Sequence, residues 1–178
     1  LVDKGRLAAR LLLDIIDVLL FYAGKGARII RLDAIGYLWK KIGTSCIHLE
    51  ETHMIVRLFR DVLDLAAPGT LLMTETNVPH AENIRYFGDG SNEAHMVYQF
   101  PLPPLVLHAF HTGSAEKLTR WAASLAPVSE TTAFFNFLAS HDGIGLMPAK
   151  GILSDAEIGE MAARTRLHGG YVSYKDNG

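Results

Sequence analysis

The chain has 178 residues, of which 49% are hydrophobic and 20% charged, and its formal net charge at pH 7 is −2. These values are typical of one globular domain or part of a larger one, and nothing in them suggests a basic surface for nucleic acid or anionic membranes. The single cysteine, Cys46, excludes an internal disulfide framework and favours a reducing, cytoplasmic setting.

The first predicted element is a helix that ends near Gly24 and Gly26, which suit a helix C-cap and a turn. Its sequence is apolar, but Arg10, Asp14 and Asp17 interrupt it at helical spacing and mark one polar face. A membrane span or a signal peptide would lack these charges, so we expect no membrane partner. Because the sequence does not open with methionine, we expect it to begin inside a domain.

Strands and helices are predicted to alternate along the rest of the chain. Apolar, strand-like segments lie at 27–34, 70–76, 94–100 and 132–139. Helical segments lie at 52–69, 79–90, 103–125 and 154–170. The third of these helices has a break near Gly113, and the last opens with a capping box of Ser154 and Glu157.

This alternation predicts an α/β fold of parallel βαβ units, with helices that cover the sheet. Two architectures fit the pattern, a piece of a (β/α) barrel or a doubly wound sheet. No glycine-rich phosphate-binding fingerprint follows a predicted strand, which counts against a dinucleotide site.

An arginine and two carboxylates close the first two predicted strands. Arg31 and Asp33 stand two residues apart on the first strand, so their side chains point to the same face. Glu75 closes the second strand. A retaining glycosidase uses such a pair, one carboxylate as nucleophile and the other, when protonated, as donor to the leaving group. Arg31 is placed to stabilise the ionised form of Asp33.

The third and fourth predicted strands also lead into polar residues. The third ends in Tyr98 and Gln99, which are further candidates for substrate binding, and the fourth is predicted to run directly into His141 and Asp142. The carboxyl ends of the strands form the rim that holds the active site of a (β/α) barrel. We therefore expect these residues to contribute to one site with the carboxylates of the first two strands.

Simpler explanations apply to the same residues. Arg31 and Asp33 are also typical of a structural ion pair, and an aspartate at a strand end is often a helix cap. His141 and Asp142 also suit a metal site of the phosphohydrolase kind, but the sequence offers no further ligands for it. The segment 48–53, "HLEETH", lacks the HExxH spacing of a zinc site.

Three segments carry a resemblance to a known family. "RLDAIGYLWK", "TETN" and "ASHDGIG" occur in the order and approximate spacing of the sequence blocks of glycoside hydrolase family thirteen, the α-amylase family. "IRLDAIGYLWKKIGTSCIHLEETH" and "EAHMVYQFPLPPLVLHA" resemble its sucrose phosphorylase subfamily, which includes glucosylglycerate and sucrose 6′-phosphate phosphorylases. The resemblance covers nearly the whole chain, and the three blocks are specific in combination.

The resemblance implies a role for each matched residue. Asp33 would be the nucleophile, with Arg31 as its orienting neighbour, and Glu75 would be the general acid and base. Asp142 would bind sugar hydroxyls and stabilise the transition state, with His141 beside it. The implied reaction transfers an α-glucosyl group to inorganic phosphate and gives α-glucose 1-phosphate. Its partners are a sugar and phosphate, and no metal or organic cofactor is implied.

The resemblance also implies that the chain is part of a (β/α)8 barrel, in which the four predicted strands are strands four to seven. Residues 1–147 would belong to the barrel, and 148–178 would begin the helical excursion after strand seven. A complete barrel needs about 250 residues and eight strands. We therefore expect a fragment that is inactive and poorly soluble when isolated.

Three functions stay open at this stage. The first is phosphorolysis by the full-length protein, and in the second water replaces phosphate, as in an α-glucosidase or an amylase-type hydrolase. The third is a non-catalytic barrel relative, which would be expected to have lost one of the three carboxylates. Among phosphorylases, "YLWKKIGTSCIHL" favours a glucosylglycerate or phosphosucrose donor over sucrose. No feature of the sequence indicates an oligomeric state.

Overall fold

In a computed structural model of the chain, which describes residues 4–126 and 128–174, helices alternate with short strands. The helices are α1 (Lys4–Gly24), α2 (Glu50–Ala66), α3 (His80–Asn83), α4 (Leu102–Thr112), α5 (Glu116–Ala123) and α6 (Asp155–Leu167). The strands are β1 (Ile29–Leu32), β2 (Leu71–Thr74), β3 (Met96–Tyr98) and β4 (Ala133–Phe135). The predicted order of elements is confirmed, including the break that separates α4 from α5.

The four strands form one parallel sheet in the order β1-β2-β3-β4, so neighbours in the sheet are neighbours in sequence. In the register, Leu32 lies opposite Thr74, Thr74 opposite Val97, and Tyr98 opposite Phe135. A doubly wound sheet reverses its strand order near the middle, and its ligands bind at that point. The sequential order therefore favours the barrel alternative, in which each strand follows the last around the rim.

The chain divides into two compact units. One contains the described residues up to 98 and 128–135, and the other contains 99–126 and 136–174. The first unit holds the whole sheet together with α1, α2 and α3. Its core is built from fully buried side chains such as Leu63 of α2, Leu72 of β2 and Val97 of β3. Each such side chain contributes about 1.5–3 kcal/mol of hydrophobic stabilisation.

The amphipathic character predicted for α1 is confirmed. Leu12, Ile16 and Leu19 recur at helical spacing and face the core of the first unit. The predicted polar positions of the same helix are exposed: Arg10, Asp14 and Asp17. Within the described part of the chain, no helix is long and apolar enough to cross a membrane.

The second unit has its own core, which includes Leu105 of α4 and Trp121 of α5. The predicted capping box opens α6, because Ser154 Oγ accepts from the Glu157 backbone while Glu157 Oε2 accepts from the Ser154 backbone at 2.8 Å. The Lys117 ammonium, 2.6 Å from Oε2, and the Ser154 donors lower the pKa of Glu157 to about 2. The start of α6 is therefore fixed by a charged contact as well as by its cap.

The predicted fourth strand, 132–139, is longer than the observed strand β4. In the described sheet, β4 pairs with β3, and their last pair is Tyr98 with Phe135. Since β3 ends at Tyr98, β4 has no strand residues to pair with beyond that point. The prediction that this strand runs directly into His141 and Asp142 is therefore wrong. Both residues lie in a loop well beyond the end of β4.

Candidate active site

One row of side chains crosses the carboxyl end of the sheet. Asp33 and Glu75 occupy the first positions after β1 and β2, and the Glu75 backbone N–H donates to the Leu32 carbonyl at 3.0 Å. Thr74 of β2 pairs with Val97 of β3, so the next residue of β3, Tyr98, is level with Glu75. Tyr98 in turn pairs with Phe135 of β4. Neighbouring strands lie about 4.8 Å apart. This spacing is close to the separation of about 5–5.5 Å between the carboxyl groups of a retaining glycosidase.

Arg31 links the two carboxylates of this row. Its Nη1 lies 2.5 Å from Oδ1 of Asp33, and its Nη2 lies 3.9 Å from Oε2 of Glu75. The guanidinium also lies 5.4 Å from the centre of the Tyr98 ring. Burial opposes the charge, but the three neighbours outweigh burial and raise the pKa of Arg31. The predicted placement of Arg31 and Asp33 on one face is confirmed, and a permanent cation contacts both carboxylates of this row.

The backbone turns sharply directly after Asp33. Ala34 has φ 47° and ψ 33°, in the left-handed region that residues with a side chain rarely adopt. In this conformation its N–H donates to Oε2 of Glu75 at 3.0 Å. A short 3-10 helix, Ile35–Tyr37, follows. The turn therefore ties the loop after β1 to the carboxylate that follows β2.

A pocket of about 190 Å³ opens beside Glu75. The side chain of Glu75 is 15% exposed and belongs to the pocket wall, whereas that of Asp33 is 70% exposed and accessible from solvent. Complete small-molecule sites typically have volumes of about 300–1,000 Å³. The volume of this pocket is smaller than that range, so it would hold only one part of a sugar substrate. The other lining residues come from the segments after β1 and β2: Ala34, Gly36, Tyr37, Ile47, Thr76, Asn77 and Val78.

The segment after β2 is held by a buried amide, Asn83, which is 2% exposed. Its Nδ2 donates to the Tyr98 carbonyl at 2.7 Å, and its Oδ1 accepts from Thr76 Oγ1 at 3.0 Å. Asn83 therefore connects the end of β3 to the loop that carries Glu75. Sequence reasoning missed this residue, because nothing in the local pattern of α3 distinguishes it from a surface asparagine.

A histidine and a tyrosine support the turn after Asp33. His48 Nδ1 lies 2.8 Å from the Tyr86 hydroxyl, and the His48 backbone N–H donates to the Gly36 carbonyl at 3.0 Å. A Cβ on Gly36 would lie 3.2 Å from the same hydroxyl, so a larger residue would crowd this contact. Burial lowers the pKa of His48 and raises that of Tyr86, so both side chains are neutral near pH 7. Sequence reasoning did not identify this support.

A second charged cluster lies against α2. Glu93 is 3% exposed, and its carboxylate contacts His53 Nδ1 at 2.8 Å and Arg57 Nε at 3.2 Å. Arg60 donates to the backbone carbonyl of Glu93 at 3.0 Å. The sequence places His53, Arg57 and Arg60 on one side of this helix, but it does not reveal their common partner. Because the buried charges are paired, we assign the cluster a structural role in fixing the loop before β3.

Three further predicted site residues lie in the second unit. His141 Nε2 is 3.3 Å from Asp142 Oδ2, and the two side chains are 78% and 70% exposed. Asp142 also donates its backbone N–H to Ser140 Oγ. Gln99 is 1% exposed, and neither atom of its amide has a hydrogen-bond partner among the described residues. Within residues 4–126 and 128–174, no group of three His, Cys, Asp or Glu side chains is placed to hold a metal ion.

Comparison with curated proteins identifies similar sequences, although no family profile matches the chain. Glucosylglycerate phosphorylase of Allomeiothermus silvanus is 60% identical over 165 residues, which are 93% of this chain and 30% of that protein. Glucosylglycerate phosphorylase of Escherichia coli is 53% identical over 176 residues, 99% of this chain and 32% of that protein. The chain spans about a third of the length of these relatives.

A solved structure shares the fold. Sucrose 6F-phosphate phosphorylase from Thermoanaerobacter thermosaccharolyticum superposes with a TM-score of 0.74 at 28% identity, over 92% of this chain and 32% of that one. Since that enzyme is a TIM barrel, the four-stranded sheet corresponds to part of a (β/α)8 barrel. By its sequence and its fold, this chain belongs to the sucrose phosphorylase group of the α-amylase family, glycoside hydrolase family thirteen.

Proposed function

We propose that the protein to which this chain belongs is a retaining α-glucosyl phosphorylase that works by double displacement. The observation that carries the proposal is the placement of Asp33 and Glu75 directly after two neighbouring strands, with Arg31 in contact with both. The names of the relatives support phosphate as the glucosyl acceptor.

In the first displacement, Asp33 is the nucleophile and Glu75 the acid. The Asp33 carboxylate attacks the anomeric carbon of the glucosyl group, while Glu75 protonates the departing oxygen, so that a covalent glucosyl-enzyme forms. Arg31 contacts both carboxylates, which orients Asp33 for the attack and fixes its position relative to Glu75. The open position of Asp33 and the enclosed position of Glu75 suit these two roles.

In the second displacement, phosphate attacks the same carbon from the side that the leaving group vacated. Glu75 then acts as the base, and α-glucose 1-phosphate leaves with its original anomeric configuration. We assign sugar binding and stabilisation of the transition state to Asp142 with His141, and contacts to substrate to Tyr98 and Gln99. The proposed chemistry needs no metal or organic cofactor.

We further propose glucosylglycerate as the glucosyl donor, ahead of sucrose 6′-phosphate and sucrose. Support comes from the identity of 60% and 53% to two glucosylglycerate phosphorylases, against 28% to the sucrose 6F-phosphate enzyme. A cytoplasmic setting, where phosphate is plentiful, would favour phosphorolysis over the reverse reaction.

The test uses the full-length protein and its Asp33→Asn variant. Each is supplied with glucosylglycerate, sucrose 6′-phosphate or sucrose, in phosphate buffer and in phosphate-free buffer, and glucose 1-phosphate and free glucose are quantified. We expect phosphate-dependent glucose 1-phosphate, fastest from glucosylglycerate, and a loss of at least about 10³-fold in the variant because the nucleophile is absent.

The matched control is Asp61→Asn, which removes an exposed carboxylate from α2 and should leave turnover unchanged. Free glucose in both buffers would identify a hydrolase instead. No turnover of any of the three glucosides would identify a non-catalytic relative, and full activity of Asp33→Asn would remove Asp33 from the mechanism.

A further inference from the structure

The backbone amide of Ala34 is an unusual partner for a proposed catalytic carboxylate. Ala34 adopts the left-handed conformation, which for alanine is less favourable than the right-handed one because its Cβ crowds the neighbouring carbonyl. Such strained residues persist when the surrounding structure holds them in place, and they cluster at functional sites. Here the surroundings include a hydrogen bond from the Tyr37 N–H to the Ala34 carbonyl at 3.0 Å.

Among the described residues, the two contacts of the Glu75 carboxylate fall on the same oxygen. The Ala34 N–H donates to Oε2 at 3.0 Å, and Arg31 Nη2 approaches Oε2 at 3.9 Å. Of the two carboxyl oxygens, Oε2 is the better hydrogen-bond acceptor because it faces an N–H donor and a cation. It is also the less favourable site for the acid's own proton, because that proton would be directed at the hydrogens of these two groups. The proton of the neutral acid is therefore favoured on Oε1.

We infer that the Ala34 amide is a positioning group that anchors Glu75 through Oε2 and reserves Oε1 for proton transfer. The inference rests on the proposed function and deepens it. In the first displacement the Oε1–H bond breaks, its electron pair stays on Oε1, and the proton goes to the glycosidic oxygen as the carbon–oxygen bond breaks. In the second displacement Oε1 takes a proton from the incoming nucleophile.

The left-handed turn thereby has a functional purpose. It directs the N–H of the residue after the proposed nucleophile toward the acid on the neighbouring strand, so the two catalytic groups are held by one short segment. A side-chain donor could rotate away from the carboxylate, whereas a backbone donor is fixed by the turn. Accurate placement of this kind matters because a general acid must lie within hydrogen-bond reach of the leaving oxygen.

The test replaces Ala34 in the full-length protein by its α-hydroxy analogue, lactic acid, through nonsense suppression. This change keeps the methyl group and exchanges only the backbone N–H for an oxygen. We measure kcat/KM for glucosylglycerate, whose leaving group needs a proton, and for α-glucosyl fluoride, whose leaving fluoride does not. The same replacement at exposed Ala126 controls for the ester itself.

The expected result is a fall of about ten- to a hundredfold for glucosylglycerate, the effect of losing a hydrogen bond to a group that becomes charged as it gives up its proton. Turnover of α-glucosyl fluoride should stay within about twofold, because acid assistance makes little difference to that donor. Equal losses with both donors, or no loss with either, would overturn the inference. Glu75→Gln is measured in parallel: if it retains wild-type turnover of glucosylglycerate, the proposed function itself fails, whatever the ester does.

Discussion

At the scale of single residues, Arg31 makes contacts that a different cation could not reproduce. Its planar fork places one nitrogen on Asp33 and another toward Glu75, while its central carbon lies 5.4 Å from the centre of the Tyr98 ring. A lysine ammonium is a point charge on a flexible stem and cannot hold two carboxylates at a fixed spacing. The separation of the proposed nucleophile and acid therefore depends on the shape of the guanidinium as well as on its charge.

We predict that Arg31→Lys lowers kcat/KM of the full-length protein by about a hundredfold, because small displacements of reacting groups cost about that much. The charge is kept, so a loss of this size would be due to geometry. Steady-state kinetics with glucosylglycerate, together with the melting temperature of the variant, provides the measurement.

Arg120→Lys is the matched control for this change. Arg120 is 73% exposed and pairs with Glu116 one turn away on α5, a surface contact of little energetic weight. Activity of Arg31→Lys equal to that of Arg120→Lys would contradict a bridging role for the guanidinium.

The sequence was sufficient to locate Arg31, Asp33 and Glu75, because all three follow from strand periodicity and from the position of each strand end. It was not sufficient to predict the left-handed turn at Ala34, because a positive φ is normally indicated in a sequence by glycine and this position is an alanine. Asn83 was missed for another reason: its partners are chosen by the tertiary fold and lie on other segments.

At the scale of elements, helices were easier to predict than strand ends. The helices have apolar stripes that the sequence displays over many residues, and the predicted capping box fixed the start of α6. The length of a strand also depends on how far its neighbour in the sheet extends, and that neighbour is a different segment of the chain. For this reason β4 is short and the predicted continuation toward His141 was wrong.

The pairing of β2 with β3 depends on an uncharged histidine. His95 donates its backbone N–H to the Leu72 carbonyl at 2.9 Å, and its Nδ1 accepts from the Leu72 backbone N–H at 3.0 Å. Protonation of Nδ1 would convert that acceptor into a donor. Burial, and to a lesser extent the charge of Arg60, lowers the pKa of His95.

We predict that the stability of the full-length protein falls as the pH drops below about 6.5, the ordinary pKa of histidine. A histidine whose pKa is lowered by folding binds a proton more readily in the unfolded state, so protons favour unfolding below that pH. His95→Asn should reduce the loss of melting temperature between pH 7.5 and 5.5 by a few degrees, because its amide oxygen accepts the same N–H and does not titrate.

Exposed His168 provides the comparison for this experiment, and His168→Asn should leave the pH dependence of the melting temperature unchanged. If the melting temperature of His95→Asn depended on pH as steeply as that of the wild-type protein, the acceptor role of His95 would account for none of the acid sensitivity. Thermal unfolding in buffers matched for ionic strength separates these outcomes.

At the scale of the whole molecule, this chain has surfaces that are unusual for a protein that stands alone. β1 and β4 each have one neighbour in the described sheet, so each presents an open edge. Helix α1 carries large exposed apolar side chains that recur at helical spacing and share one face: Leu11 at 60%, Ile15 at 42% and Val18 at 48%. Contiguous apolar surface of this kind marks an interface or an aggregation site. Because the relatives are about three times as long, we propose that the remainder of the barrel covers these surfaces.

We therefore predict that the 178-residue chain expressed alone forms aggregates and transfers no glucosyl group, as measured by light scattering and by release of glucose 1-phosphate. The double substitution of Leu11→Lys and Val18→Lys should have opposite effects in the two contexts. It should reduce aggregation of the isolated chain, because charges break the apolar face. It should lower the melting temperature of the full-length protein, because two charges would then be buried without partners. A soluble, monomeric chain with glucosyl transfer of its own would contradict the prediction, since half a barrel rim would then suffice for the reaction.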